Sequence, residues 1–348
     1  MRRFERACFA GGLLLLGWLV WRIGPGQIAR NLAEVGWGFV PILAFSAVPL
    51  FLNAVSWFRV LPEGSGVSLG SVARMLLAGE AINSVSPVGV VGGEIVRASL
   101  LSARLPAEDA VACVAMAAMA QFFAQVLFVI TGLPLAFGLV ADAAVRKGLL
   151  LVGGILLSLF AAVLVLAASR TVRARMRSFL ARVPGLRSLV ALPDRWRGAA
   201  REALASLRAR PARFGGAVVA SLLAWQAGAV ETWLILRFLR VPVGARQAYA
   251  IEVLAVVIEG ALFFVPAKIG TQEGGKVLIF LAAGLDAAKG FTLGFVRRLR
   301  ELCWAAVGLS LLGRTRATRR ARARGRRARS GRPTPGGGRA GRRRRRRA

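Results

Sequence analysis

Two copies of one charged pattern lie within otherwise apolar sequence, and their side chains are the ones that could do chemistry. The copies consist of Glu80, Pro87, Glu94 and Arg97, and of Glu259, Pro266, Glu273 and Lys276. Both have the form E-x6-P-x6-E-x2-[R/K], and they are offset by 179 residues (259 − 80 = 179). Carboxylates are costly in a bilayer and proline breaks a helix, so each copy needs an explanation.

The second carboxylate and the cation of each copy are three residues apart, which puts them on one helix face. Glu94 and Arg97 could therefore neutralise each other in a low dielectric, and Glu273 and Lys276 repeat that arrangement. Such a pair could also open, so that the cation takes a lipid phosphate and the carboxylate takes a proton. The competing interpretation is structural, because paired membrane charges can simply lock helices together.

Glycines and other polar residues surround each proline. Gly92 and Gly93 follow Pro87, and Gly270 and Gly274 follow Pro266. A broken helix exposes N–H groups that favour an anion such as a phosphate, and glycine lets a head group approach the backbone. Glu80 and Asn83 share a face of the preceding segment. In the last apolar segment an arginine cluster before Glu301 is a reasonable counter-charge for the carboxylates, and it consists of Arg297, Arg298 and Arg300.

Composition places the chain in the membrane. Of its 348 residues 56% are hydrophobic, and its mean hydropathy is +0.59. Several apolar runs approach the roughly 20 residues that a helix needs to cross a bilayer. The chain has no histidine, and its three cysteines are far apart, which excludes histidine-dependent catalysis and indicates neither a metal site nor a cofactor.

The formal net charge of +33 is concentrated in two segments. Residues 170–213 contain 12 arginines and residues 314–348 contain 17. Basic segments beside membrane helices mark the cytoplasmic side and contact anionic lipid head groups, and we favour this interpretation over nucleic-acid binding. We expect 170–213 to be a cytoplasmic linker and 314–348 to be a disordered tail.

The apolar pattern predicts an all-α integral membrane protein over 1–313. The six predicted spans cover 7–24, 38–58, 109–138, 147–168, 214–239 and 289–313. The Pro- and Gly-broken segments 70–104 and 246–286 are predicted re-entrant helix pairs, although a full span over 246–265 is a rival interpretation. The offset of 179 also aligns the flanking spans, which gives repeat halves of about 38–138 and 214–313.

Counting crossings from a cytoplasmic N-terminus places both basic segments and the C-terminus in the cytoplasm. The two helix pairs then enter from opposite faces, which is the inverted-repeat plan of many secondary transporters. The predicted location is the inner membrane of a bacterium.

The strings GEAINSVSPVGVVGGEIVRASLL (79–101), VPAKIGTQEGG (265–275) and GFVRRLREL (294–302) resemble the flippase-like family that includes the transmembrane region of lysylphosphatidylglycerol synthases. Within it, the chain looks most like stand-alone membrane proteins associated with hopanoid biosynthesis. The resemblance implies lipid translocation or lipid handling, and it adds Gln272 to the candidate site. Lys268 departs from the family pattern, and the chain has no soluble aminoacyltransferase domain, so we expect no synthase activity.

The leading hypothesis is a flippase or transporter-like protein whose substrate is an amphiphilic lipid. The alternative is a non-transporting scaffold for a complex of lipid-biosynthesis enzymes. A weaker third possibility is a membrane enzyme that uses the carboxylates as general acid or base.

Overall fold

The computed structural model describes residues 2–85, 91–140, 143–168, 210–262, 265 and 269–330. Pro87, Pro266 and Lys268 therefore lie outside the described residues, as do 170–209 of the linker and 331–348 of the tail. All the elements in the described residues are helical.

Twelve α-helices make up the described part of the chain. In chain order they are α1 (Arg2–Ile23), α2 (Pro25–Val35), α3 (Phe39–Phe45), α4 (Ala47–Arg59), α5 (Leu69–Val85), α6 (Val91–Leu101), α7 (Ala107–Leu139), α8 (Ala143–Ala168), α9 (Pro211–Phe238), α10 (Ala245–Ala261), α11 (Thr271–Ala282) and α12 (Ala287–Ser330). A short 3-10 turn, Gly36–Gly38, joins α2 to α3.

Three helical stretches in the described residues are long and apolar enough to cross a membrane. They are Pro25–Arg59, Ala107–Leu139 and Pro211–Phe238, and they contain the predicted spans 38–58, 109–138 and most of 214–239. The other predicted spans fall on α1, α8 and α12. Large apolar side chains such as Leu14, Trp21 and Leu151 are exposed on the outside, which suits contact with lipid rather than water.

Helices that lie 179 residues apart along the chain have closely corresponding bounds. Adding 179 to the bounds of α6 gives 270–280, and α11 covers Thr271–Ala282. The same shift brings the start of α7 to 286, and α12 begins at Ala287. Helices α5 and α10 correspond within three residues. The charged residues of each copy therefore lie on a pair of helices at equivalent places in the two halves.

Each helix pair packs against the last helix of the other half. Helix α5 lies along α12, and its counterpart α10 lies along α7. The contacts between the stretch 38–59, which includes α4, and α9 run in opposite order, since Gly38 meets Phe238 whereas Ser56 meets Ser221. Corresponding helices of the two halves are therefore antiparallel where they meet.

Helix α12 continues to Ser330, beyond the predicted span that ends at 313. The sequence predicts disorder from Arg314 because the tail lacks apolar periodicity, but 314–330 are helical in the structure. Arginine and alanine, which dominate this stretch, both have high helix propensity, and this accounts for the extension.

Gly132 provides a test of the packing between the halves. A Cβ atom there would collide with the side chains of Tyr249 and Val253 on α10, whereas one at Gly138 in the same helix would meet nothing within 4 Å. We expect Gly132→Leu to destabilise the protein by about 1–3 kcal/mol through overpacking, and Gly138→Leu to have little effect. Thermal unfolding of both variants in detergent measures the difference; equal midpoints would contradict this packing.

Candidate functional site

The first helix pair, α5 and α6, is held together at two glycines. Asn83 accepts a hydrogen bond through its side-chain oxygen from the backbone N–H of Gly93, at 2.7 Å. A Cβ atom on Gly93 would collide with the Asn83 side chain, and one on Gly79 would collide with Arg97. The absence of side chains at these glycines therefore allows α5 and α6 to approach closely. Asn83 also satisfies one of the N–H groups at the start of α6, where Gly92 lies.

Arg97 lies between the two carboxylates of the first copy. Its Nη2 donates to Glu80 on α5, and its Nη1 donates to Glu94 on α6 at 2.6 Å. The arginine is buried, but the side chains of Glu80 and Glu94 retain 45% and 28% exposure. One cation thus serves two carboxylates, and the three side chains together carry a charge of −1.

The second helix pair, α10 and α11, repeats the ion pair that joins its two helices. Lys276 Nζ lies 3.2 Å from Glu259 Oε1, and these residues correspond to Arg97 and Glu80 at the offset of 179. The Lys276 side chain is almost completely buried, and that of Glu259 is 21% exposed. An ion pair therefore links the two helices of both pairs at the same position.

Glu273 has different partners from its counterpart Glu94. Its Oε2 accepts from the backbone N–H of Gly270 at 3.0 Å, and its Oε1 lies 3.2 Å from Arg298 Nε on α12. Gly270 has a φ of 74°, in the left-handed region that glycine tolerates, and this conformation places its N–H at the start of α11. Glu273 caps its own helix, whereas Asn83 satisfies the N–H of Gly93 in the first pair and leaves Glu94 available to Arg97.

The spacing allows Glu273 and Lys276 to neutralise each other, but in the structure each has a partner on another helix. The remaining candidates lie close by: Gln272 donates to Glu301 at 3.2 Å, and Arg298 lies 3.8 Å from Glu301. Gly274 packs against Leu15 and Leu19 of α1. The described candidates therefore form two groups, one on α5 and α6 and one on α10, α11 and α12.

A second set of buried charges joins Arg297 and Arg300 to two glutamates that were not among the predicted site residues. Arg300 forms an ion pair with Glu231 of α9, which is fully buried, at 2.5 Å. Arg297 lies 2.8 Å from Glu252 and donates to the Thr232 hydroxyl, also at 2.8 Å. The sequence carries a signal for these residues, because charges within apolar spans are costly and are usually functional.

Two cavities accompany these charges. One, of about 180 Å³, lies between the two halves and is lined by Asn53, Gln121, Glu231, Glu252, Arg297 and Arg300, among others. The other, of about 670 Å³, is mainly apolar and is bounded by α1, α10 and α11. Leu19, Ile258, Gly275 and Leu278 are part of its wall, and it adjoins the glycine-rich start of α11.

The comparisons with known proteins agree with the membrane character of the fold. A family described as the lysylphosphatidylglycerol synthase TM region matches residues 7–342. None of the curated proteins and none of the solved structures compared with this chain matches it.

Arg97 should be essential for the stability of the first helix pair. Replacing it with methionine leaves Glu80 and Glu94 close together with no cation between them. Breaking a fully buried pair costs about 3–5 kcal/mol, and the cost here should be smaller because both carboxylates are partly exposed. We expect Arg97→Met to lower the unfolding midpoint in detergent strongly. The exposed Arg104, in the loop after α6, gives the matched control Arg104→Met; an equal effect of both would contradict the role of Arg97.

Proposed function

We propose, since this chain belongs to the family described as the lysylphosphatidylglycerol synthase TM region, that it moves an amphiphilic lipid between the leaflets of a membrane. The family is one of membrane proteins that handle lipids. The observation that carries the step to translocation is the ion pair repeated at equivalent positions of two helix pairs, Glu80–Arg97 and Glu259–Lys276.

Burying these charges costs free energy, and a purely structural role does not explain well why the protein keeps them. Replacing a buried ion pair with apolar residues is often neutral or even stabilising, so such pairs are weak evidence for a contribution to stability. In a membrane protein, charges near helix breaks more often serve a polar substrate. The partial exposure of Glu80 and Glu94 supports this, because both carboxylates can be reached without unfolding.

An amphiphile needs an apolar site beside the polar one. The 670 Å³ cavity offers apolar walls from α1, α10 and α11 next to Gly274 and Gly275. An acyl chain would lie against these walls, beside the start of α11, where Glu273 and Gln272 are buried.

The arrangement of the halves supports an inverted repeat. Corresponding helices α4 and α9 pack antiparallel, and each helix pair packs against the other half. We propose six full spans and two re-entrant pairs that enter from opposite faces, so that lipid reaches one site from each leaflet.

The remaining parts of the proposal concern the cellular context. The protein would reside in the bacterial inner membrane with both termini in the cytoplasm, and its linker and tail would contact anionic lipid. It would act by transport rather than as an enzyme, and its lipid would be linked to hopanoid or anionic-lipid metabolism. Enzymes of lipid biosynthesis are the proposed protein partners.

Translocation of labelled lipid in reconstituted vesicles tests the function. The double variant Glu94→Gln, Glu273→Gln removes one carboxylate from each group, and we expect the rate to fall by about tenfold or more, which corresponds to at least about 1.4 kcal/mol in the barrier. Glu108→Gln, at an exposed glutamate at the start of α7, is the control and should keep the wild-type rate.

A wild-type rate no greater than that of the double variant would overturn translocation. If the same variants changed only the co-purification of lipid-biosynthesis enzymes, the scaffold hypothesis would replace it.

The inverted topology predicts opposite labelling of two equivalent positions. Ala103 and Ala282 are 179 residues apart, at the ends of the two helix pairs. In a variant without the native cysteines, a cysteine at Ala103 should react with a membrane-impermeant thiol reagent only from the cytoplasmic side. A cysteine at Ala282 should react only from the opposite side; labelling of both from one side would exclude the inversion.

A further inference from the structure

The cavity between the two halves is not lined by the ion pairs Glu80–Arg97 and Glu259–Lys276, and its walls come from five helices. Its polar lining consists of Asn53 on α4, Gln121 on α7, Glu231 on α9, Glu252 on α10, and Arg297 and Arg300 on α12. Of these six residues, only the two arginines were predicted, as counter-charges for the carboxylates. Corresponding helices α7 and α12 and the antiparallel pair α4 and α9 all contribute, so the cavity lies at the junction of the repeats.

The positive and negative charges on the walls of the cavity are equal in number. Two carboxylates, Glu231 and Glu252, face two guanidinium groups, Arg300 and Arg297, and each acid is paired with one base. A ligand with a net charge would leave that charge uncompensated in a region of low dielectric, which is costly. A ligand that carries one positive and one negative group adds no net charge.

The cavity walls keep hydrogen-bond donors for a negative group and hydrogen-bond acceptors for a positive group. Arg297 is only 8% exposed, and its Nε–H has no partner among the described residues; the same holds for the Nε–H of Arg300. These buried donors could turn to an anionic oxygen. Glu252 already accepts from Arg297 and from the Thr232 hydroxyl, and Glu231 accepts from Arg300. Because a carboxylate offers about four acceptor positions, each keeps at least one for an ammonium group.

The size of the cavity fits a head group rather than an acyl chain. Its volume of about 180 Å³ corresponds to about six water molecules at their share of liquid volume, roughly 30 Å³ each. Asn53 and Gln121, which are hydrogen-bonded to each other at 3.1 Å, add amide groups on the side that leads to Glu94 and Arg97.

We propose that this cavity binds a zwitterionic lipid head group, with its phosphate against Arg297 and Arg300 and its amine against Glu231 and Glu252. The inference rests on the proposed function and specifies its substrate class: a net-neutral phosphate-and-amine head group is preferred over a net-anionic one. Glu252 is the residue that sets the preference, because it can accept from the amine while it is paired with Arg297.

Binding of two short-chain lipids to the full chain in detergent tests this without any transport step. The probes are dihexanoyl phosphatidylethanolamine and dihexanoyl phosphatidylglycerol, which share the same acyl chains and differ only in the head group. We expect isothermal titration calorimetry to give an affinity about tenfold higher for the zwitterionic lipid, a difference of about 1.4 kcal/mol.

Glu252→Gln leaves the cavity with a net positive charge, so the preference should disappear or reverse, while Glu108→Gln should keep it. If Glu252→Gln fails to fold, Gln121→Leu decides the question, since it changes the cavity wall without touching an ion pair and should weaken binding of the zwitterionic lipid severalfold. Equal wild-type affinities, a preference that survives Glu252→Gln, or binding of the zwitterionic lipid that Gln121→Leu leaves unchanged would each overturn the head-group site, even if translocation is observed. If the protein prefers the zwitterionic lipid and the variants respond as expected, but no lipid is translocated, the head-group site stands and the proposed function is refuted.

Discussion

A charge inside an apolar helical bundle needs a partner on a neighbouring helix, and much of this structure depends on that requirement. Removing a carboxylate or an ammonium group from water costs several kcal/mol, so an unpaired one would unfold its surroundings or lose its charge. Lys276 is almost completely buried and is compatible with the fold because Glu259 on the adjacent helix meets it. Arg97, Arg297 and Arg300 are likewise each paired with a carboxylate on another helix. These ion pairs fix which helices are neighbours.

The two copies meet this requirement differently, and the difference is informative. In the first, Arg97 serves both Glu80 and Glu94, which remain partly exposed. In the second, Glu273 caps α11 and also contacts Arg298, and its side chain is only 2% exposed. One site is therefore more open than the other, as two sites serving opposite leaflets would be if only one is accessible at a time.

Much of this arrangement could be predicted from the sequence, because it depends on spacing along the chain. The offset of 179 aligned Glu80 with Glu259 and Arg97 with Lys276, and the helices of both halves follow the same offset. The charged pattern also identified the helix pairs that hold these residues. Pro87 and Pro266, the predicted breaks, lie outside the described residues.

Other features depend on helix packing that no spacing encodes. The partner of Glu273 is Arg298 rather than Lys276, because α12 lies beside α11 and because the Gly270 N–H requires a cap. The group of Glu231, Glu252, Arg297 and Arg300 comes from three helices whose proximity follows from the packing of α10 and α12 against α9. The helical stretch 314–330 follows from the helix propensity of arginine and alanine, and apolar periodicity does not predict it.

The most direct measurement is the energetic coupling between Glu259 and Lys276. Unfolding free energies in detergent for Glu259→Gln, Lys276→Met and the double variant form a double-mutant cycle, and translocation rates for the same proteins form a second. If the pair acts as one unit that holds the helix pair and serves the lipid, the double variant will be less impaired than the sum of the single variants by about 1 kcal/mol or more in both cycles. Additive effects in both cycles would contradict a paired role for these charges.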